Sequence, residues 1–133
     1  MTSSLEDREQ IRELLATYCF HSDSGDADAF VSLFTDDAVL DLGNFGVYRG
    51  KATLLEAQRR KGGKPTKVRH LTTNILIELQ GDTAETRSYV VALEVGDAAP
   101  KPIFAGHYYD TVVRQNGGWR FKVRRARPLP IDL

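Results

Sequence analysis

The sequence contains a single cysteine, Cys19, which excludes a disulfide within the chain and a cysteine-rich metal site. It also lacks an excess charge of either sign, because 18 lysine and arginine residues balance 18 aspartate and glutamate residues. A balanced charge argues against nucleic acid or anionic lipid as a partner. No apolar run approaches the roughly 20 residues that span a bilayer. We therefore expect a cytoplasmic protein without nucleic-acid or membrane partners.

Nucleotide-binding and metal-binding patterns are missing as well. Neither GxGxxG nor GxxxxGK[ST] occurs in the sequence. His21, Asp23, His70 and His107 are candidates for a histidine–carboxylate cluster, but His21 and Asp23 lie two residues apart on a predicted helix and do not share a face. We therefore predict no metal site and no cofactor.

The length of 133 residues and a hydrophobic fraction of 41% are typical of one globular domain, predicted over 1–133 with an irregular tail at 128–133. Ser3 and Glu6 fit a capping box that begins a first helix, and Gly25 ends that helix after Ser24. Asp26 caps a short second helix with Phe30, Leu33 and Phe34 on one face, and a third helix is predicted over Lys51–Arg60.

The second half of the sequence changes to a period of two, which is typical of strands. The predicted strands are Val39–Leu42, a strand from Val68, Thr83–Val95, Ile103–Gln115 and Trp119–Arg127, the last two forming a hairpin around Asn116-Gly117-Gly118. Helices followed by long antiparallel strands indicate an α+β fold. We predict three N-terminal helices packed on a strongly curved, mainly antiparallel sheet that forms a cone with one pocket.

Asp23 is placed against two physical preferences. It continues the apolar stripe of the first helix, one turn beyond Cys19 on the ridge of Ile11 and Leu15. It also lies near the negative end of the helix dipole, where an anion is disfavoured. Either it hydrogen-bonds nearby backbone in the turn-prone segment Asp-Ser-Gly-Asp, or it has a distant partner or a catalytic task.

His70 is the candidate partner. It shares one predicted strand face with Thr72 and Asn74, and this polar face either contacts water or lines a pocket. A carboxylate that accepts a hydrogen bond from one ring nitrogen fixes the tautomer and leaves the other nitrogen as a base.

Further polar candidates are less specific. Tyr18 lies on the apolar stripe of the first helix. It is either a core residue or a residue whose hydroxyl donates a hydrogen bond to a substrate. Either Tyr108 and Asp110 or His107 and Tyr109 face inward on their strand, and the sequence does not choose between these pairs. The basic run Arg120, Lys122, Arg124, Arg125 and Arg127 is mainly a solvated face, although one inward arginine would suit a substrate anion.

The motifs "LLATYCFHSDSGDADAFVSLFTDDAVLD", "YRGKATLLEA", "RHLTTNILIELQGDTAETRSYVVAL" and "GHYYDTVVRQNGGWRFKVRR" follow one another in an order that resembles the SnoaL-like domains of the nuclear-transport-factor-two-like superfamily. The resemblance covers residues 5–125 and implies a cone-shaped fold, a deep pocket and a homodimer or homotrimer. The chain is most similar to the branch of scytalone dehydratase and hexachlorocyclohexane dehydrochlorinase. There the matching positions imply an aspartate–histidine dyad at Asp23 and His70, with a helpful arginine at Arg124.

The sequence departs from both relatives in the implied pocket. Tyr18 stands where the dehydrochlorinase has a lysine, and Leu42 and Ser22 stand where the dehydratase has tyrosines. Ketosteroid isomerase has residues that match Tyr18 and Asp110, but its base aspartate aligns with Leu42, which argues against that mechanism. Neither relative's substrate therefore transfers to this chain.

Together these observations predict a cofactor-independent lyase or isomerase, dehydratase-like, acting on a small hydrophobic or aromatic molecule of polyketide or terpenoid type. Asp23, His70 and Arg124 are the predicted catalytic residues, and the predicted pocket residues are Tyr18, Leu42, Thr72, Asn74, Tyr108 and Asp110. The alternatives are a protein that binds such a ligand without turnover, or an accessory subunit of a larger enzyme.

Overall fold

The computed structural model describes residues 3–129, which form three helices and six strands. The helices are α1 (Ser4–Ser24), α2 (Ala27–Val31) and α3 (Lys51–Arg59). The strands are β1 (Phe34–Asp41), β2 (Val47–Arg49), β3 (Val68–Gln80), β4 (Thr83–Glu94), β5 (Lys101–Gln115) and β6 (Gly118–Pro128). A short 3₁₀ turn, Gly43–Phe45, lies between β1 and β2.

The six strands form one mixed sheet in the order β2-β1-β6-β5-β4-β3. Strand β1 pairs in parallel with β6, and the other neighbours are antiparallel. The sheet is curved but is not closed into a barrel, because β2 and β3 remain its two edges. The predicted α+β class, with three helices on a curved and mainly antiparallel sheet, is therefore confirmed.

Helix α1 begins and ends where its capping residues predict. The Ser3 hydroxyl accepts a hydrogen bond from the Glu6 backbone N–H at 3.1 Å. Gly25 follows the helix with a φ of 77°, and a Cβ atom there would lie 2.1 Å from the Lys64 carbonyl oxygen. Gly25 is therefore required both for its positive φ and for its lack of a side chain. Its small size lets the loop before β3 approach the end of α1.

The opposite end of α1 is held by a buried ion pair that the sequence did not reveal. Asp7 is buried, and its carboxylate accepts two hydrogen bonds from the Arg114 guanidinium at 2.7 and 2.8 Å. The Trp119 indole N–H donates to the same carboxylate at 3.3 Å. These contacts fix α1 against the hairpin of β5 and β6, so both ends of the helix have a set position over the sheet.

The predicted second helix is wrong at its C-terminal end. Helix α2 stops at Val31, and Phe34 already belongs to β1. Phe34 pairs with Phe121 of β6, and the Phe121 backbone N–H donates to the Leu33 carbonyl at 2.8 Å. This pairing with a distant strand satisfies the backbone in place of further helical turns, and it also makes β1 longer than the predicted Val39–Leu42.

The predicted alternation along β3 is wrong because a β-bulge interrupts it. Asn74 has a φ of 56°, and the pairing register with β4 shifts between Thr73 and Leu76. His70 before the bulge and Ile75 after it consequently share the inner face, whereas Leu71 is exposed on the outer face. The inner surface of β3 therefore combines the polar residues before the bulge with Ile75, Ile77 and Leu79 after it.

The hairpin of β5 and β6 is confirmed, with Asn116 and Gly117 both at positive φ as a type I′ turn requires. Small differences remain at element ends: β5 begins at Lys101, and Pro128 closes β6 instead of starting the irregular tail. Most of the predicted tail, 130–133, lies outside the described residues. No helix within residues 3–129 combines the length and the apolar character needed to cross a membrane.

Candidate active site

A cavity of about 480 Å³ lies between the helices and the inner face of the sheet. This volume falls in the usual range for a small-molecule site. Most of its wall is apolar or aromatic, formed by Tyr18, Phe30, Leu40, Leu42, Phe45, Val68, Ala92, Ile103, Phe104, Tyr108 and Ala126. The polar side chains in the wall are Ser22, Gln58, Lys61, Thr66 and His70. The cavity therefore fits an apolar molecule with a few polar groups.

Asp23 and His70 meet at the edge of this cavity. The Asp23 Oδ1 atom lies 2.6 Å from His70 Nδ1, and Asp23 Oδ2 accepts a hydrogen bond from the His70 backbone N–H at 3.0 Å. Both side chains are largely shielded, with 11% of Asp23 and 25% of His70 exposed. The carboxylate thus reaches β3, 47 residues away, instead of binding the local turn.

The loop before β3 holds this arrangement in place. The Thr66 backbone N–H donates to the Asp23 carbonyl at 2.9 Å, and the Thr66 hydroxyl accepts from the Val68 backbone N–H at 3.2 Å. This loop passes directly over Gly25, where only glycine leaves enough room. The end of α1 and the start of β3 are therefore fixed relative to each other by backbone contacts as well as by the side-chain pair.

The geometry assigns different roles to the two ring nitrogens of His70. A neutral histidine donates from one nitrogen and accepts with the other, and the carboxylate at Nδ1 can only accept. The proton of neutral His70 therefore lies on Nδ1, and Nε2 carries a lone pair. No residue within 3–129 forms a hydrogen bond with Nε2, and His70 is one of the residues that line the cavity.

Tyr18 and Tyr108 form the inner end of the cavity, above a buried arginine. Their rings lie 5.9 Å apart, and the Arg124 guanidinium lies 4.1 Å from the Tyr18 ring and 3.5 Å from the Tyr108 ring. Burial raises the pKa of Tyr18 to about 12 and raises the pKa of Tyr108 well above its ordinary value. Both phenols are therefore protonated at neutral pH and can donate hydrogen bonds.

Arg124 and Asp110 lie beneath the tyrosines and do not line the cavity. Arg124 has no exposed surface, and its Nε atom lies 3.0 Å from Asp110 Oδ1, although none of its nitrogens makes a hydrogen bond of regular geometry. Burial also raises the pKa of Asp110, whose other oxygen accepts from the Thr86 hydroxyl at 2.9 Å. The inward pair on β5 is thus Tyr108 and Asp110, whereas His107 contacts Tyr109 on the outer face.

Three predicted pocket residues are not in the wall of the cavity, namely Asp110, Thr72 and Asn74. Thr72 points inward, but its hydroxyl contacts the Cys19 sulfur at 3.2 Å and remains behind the cavity. Asn74 is exposed at the bulge of β3, on the outer side of the sheet. Leu42 does line the cavity, as the alignment with the family's pocket residues implied.

The prediction missed three polar residues of the wall, Gln58, Lys61 and Thr66. Gln58 follows Leu54 by one helical turn on the buried side of α3 and is only 9% exposed. A polar residue that continues an apolar stripe is the same signal that pointed to Asp23, and it was available in the sequence. Lys61 lies just beyond the helix, where a glycine-rich segment predicts only a loop.

The part of the chain that the structure describes contains no group of three or more histidine, cysteine, aspartate or glutamate residues arranged to hold a metal ion. His107, one of the residues considered for such a cluster, lies on the outer face beside Tyr89 and Tyr109.

A curved α+β sheet with helices across its inner face and a mostly apolar cavity defines a class of small-molecule-binding domains. The model of the SnoaL-like domain family matches residues 3–125, and the chain belongs to this family. No functionally curated protein matches the chain.

Solved structures agree with this assignment. A variant of Rv3472, a Mycobacterium tuberculosis protein of unknown function, is 30% identical with a TM-score of 0.86, over 97% of this chain and 80% of that one. An NTF2-like protein with a cystatin-like fold from Novosphingobium aromaticivorans is 27% identical with a TM-score of 0.83, over 96% and 85%. A protein from the same organism, provisionally named scytalone dehydratase, is 25% identical with a TM-score of 0.81, over 95% and 86%.

Proposed function

We propose that this protein is a lyase or isomerase, dehydratase-like, that removes a proton from a carbon atom of a small apolar molecule. The observation that carries the proposal is the contact of 2.6 Å between Asp23 and His70 Nδ1 at the edge of an apolar cavity. The similarity to a protein provisionally named scytalone dehydratase supports the same class of reaction.

In the proposed reaction, His70 Nε2 takes a proton from a carbon next to a carbonyl group. The electron pair of the broken C–H bond moves toward the carbonyl oxygen, which becomes an enolate. Asp23 stabilises the histidine cation that forms and keeps the ring in position. Such a positioned base contributes about 10²–10⁴-fold to a rate.

Tyr18 and Tyr108 would donate hydrogen bonds to the enolate oxygen, since both line the cavity and both have a raised pKa. The Arg124 cation beneath their rings favours negative charge at this end of the cavity. Arg124 therefore acts through the tyrosines as a positioning residue.

The protonated His70 then returns its proton, and the acceptor decides the reaction. If the enolate expels a hydroxyl group from the β carbon, the proton goes to that hydroxyl and water leaves. If no leaving group is present and a neighbouring C=C bond extends the enolate to a dienolate, the proton returns to the far carbon of that system, the double bond shifts and the product is an isomer. Both routes regenerate neutral His70 with its proton on Nδ1.

The experiment is a screen of cyclic β-hydroxy ketones with one to three rings, in which mass spectrometry follows the loss of water. We expect at least one compound to react with the wild-type protein and its rate to fall about 10²-fold or more in His70→Gln. His107→Gln, a change on the outer face, is the matched control and should retain the wild-type rate.

Equal rates in wild type and His70→Gln would contradict the proposal. The alternative of a binding protein without turnover makes a different prediction in the same screen. In that case compounds raise the melting temperature of wild type and of His70→Gln equally, and none of them loses water.

A further inference from the structure

The cavity wall contains one unpaired positive charge. Lys61 is the one lysine or arginine that lines the cavity among residues 3–129, and no aspartate or glutamate of that range lines it. Arg59 pairs with Asp28, and Arg60 pairs with Glu56, so the two preceding cations already have partners. Lys61 has no carboxylate oxygen within 4.0 Å in the described part of the chain.

Gln58 supplies a second unused polar group beside Lys61. Its side chain is largely buried, lines the cavity and makes no hydrogen bond with another side chain or backbone group of residues 3–129. The Lys61 backbone N–H donates to the Gln58 carbonyl at 3.1 Å, which is the spacing of a 3₁₀ turn. Because side chains three residues apart lie above each other in such a turn, the two polar groups project from the same side.

The Gln58 amide lines the cavity without a partner in residues 3–129, and an ammonium group loses hydration where the wall covers it. Burial does lower the pKa of Lys61 below its ordinary value, although part of the side chain still reaches solvent. An anionic oxygen ligand would satisfy both groups, because it accepts from the amide and neutralises the ammonium. The remaining wall is apolar and aromatic, and it fits the rest of such a molecule.

We propose that Gln58 and Lys61 form a carboxylate-binding subsite of this cavity, and that the natural ligand is an apolar ring compound with one carboxylate. The inference rests on the proposed function in that it names the substrate class of the same cavity. It separates the cavity into a carboxylate end at α3 and a reacting region at His70, Tyr18 and Tyr108.

The test compares two ligands of similar shape, 2-naphthoate and the neutral 2-naphthylmethanol, by isothermal titration calorimetry at pH 7. We expect the wild-type protein to prefer the carboxylate about tenfold and Lys61→Met to remove this preference while leaving the alcohol unaffected. The expected factor is modest because Lys61 remains partly exposed to solvent. Gln58→Met should weaken carboxylate binding about fivefold.

Lys64→Met is the matched control, since Lys64 lies on the same loop, is exposed and does not line the cavity. A wild-type protein without the carboxylate preference would overturn the inference, as would equal losses in Lys61→Met and Lys64→Met. Circular dichroism of each variant verifies folding.

His70→Gln distinguishes this inference from the proposed function. If the carboxylate preference survives in His70→Gln and still depends on Lys61, the subsite is supported whether or not a reaction is found. If His70→Gln itself removes the preference, the carboxylate contacts the histidine and the subsite at α3 is wrong. A third outcome is a reaction whose rate depends on His70 together with a ligand affinity that Lys61→Met does not change. That outcome would support the proposed function and contradict this inference.

Discussion

Asp23 and Gln58 show the same feature on two helices, a polar side chain on a stripe that should be apolar. In both cases the structure places the side chain beside the cavity, Asp23 through its contact with His70 and Gln58 directly in the wall. Burying such groups costs free energy unless they have partners. At the residue scale, misplaced polarity was therefore the most informative signal of the site in this sequence.

The partner of Asp23 could not be derived from local pattern alone. The spacing on α1 identified an unusual carboxylate, but 47 residues separate it from His70. The strand pattern made His70 a candidate partner, the family resemblance favoured it, and the structure brings the two side chains together. Arg124 is similar, since the family resemblance implied a catalytic arginine there but gave no sign that Asp110 would hold it beneath the tyrosines and outside the cavity wall.

The Asp23→Asn variant tests the role of the carboxylate at His70. The asparagine side chain has one oxygen and one NH₂ group in place of the two carboxylate oxygens. If its oxygen accepts the hydrogen bond of the His70 backbone N–H, its NH₂ group faces His70 Nδ1. We expect the histidine proton to move to Nε2, because the amide donates to Nδ1, and we expect the base to be lost with a rate about 10²–10⁴-fold lower. Long-range proton–nitrogen NMR of the histidine ring measures the tautomer directly.

The wild-type spectrum has only three histidines, and His70→Gln identifies the signals of the one in question. A wild-type His70 with its proton already on Nε2 would show that Asp23 does not set the tautomer.

At the scale of elements, capping and turn residues predicted their boundaries well. Ser3, Gly25 and the Asn116-Gly117 turn lie where the sequence indicated, because each satisfies a local backbone requirement. The end of α2 and the start of β1 could not be predicted in the same way. They depend on the parallel pairing of β1 with β6, and its partners are more than 80 residues apart in the sequence.

The bulge at Asn74 was the other element that the sequence concealed. A strict period of two assigns His70 and Ile75 to opposite faces, and one extra residue at the bulge returns them to the same face. The inner surface therefore has a polar end beside α1 and an aliphatic end further along β3. Asparagine is among the few residues other than glycine that adopt positive φ readily, and this is the one local sign of the bulge.

Substitution of Asn74 tests the conformational requirement of the bulge. We expect Asn74→Gly to unfold in urea within about 0.5 kcal/mol of wild type, because glycine adopts positive φ freely. Asn74→Val should lower the free energy of unfolding by about 1–3 kcal/mol, because a β-branched residue is strained there. Thr73→Val, an exposed neighbour on the same strand, is the control and should differ little from wild type. Equal stability of Asn74→Val and Thr73→Val would show that the bulge imposes no strain.

At the scale of the whole molecule, the curved sheet separates an inner surface from an outer surface of different character. The inner surface forms the core and the cavity, with Phe30, Phe34 and Phe121 in contact around Tyr18. The outer surface of β3, β4 and β5 leaves several large apolar side chains exposed, namely Leu71, Leu76, Tyr89 and Tyr109. The homodimer or homotrimer that the family resemblance implies stays a prediction.

The fold of the molecule was predictable to a greater extent than its chemistry. Periodicity and turn residues give the class and most elements, and the family resemblance gives the curved sheet, its three helices and its pocket in outline. The cavity has contributions from each of the three helices and most strands, so its exact wall depends on packing that no single segment encodes. This explains why Thr72 and Asn74 were placed in the wall and Gln58 and Lys61 were not.

The central claim is that His70 removes a proton from carbon inside this cavity, and deuterium exchange measures that step without requiring a complete reaction. Cyclic ketones that stabilise the protein against heat are incubated with it in D₂O, and mass spectrometry follows deuterium at the carbon next to the carbonyl. We predict exchange with wild type and His107→Gln, and exchange slower by about 10²-fold or more with His70→Gln. Bound ketones that exchange no faster with wild type than with His70→Gln would contradict the account.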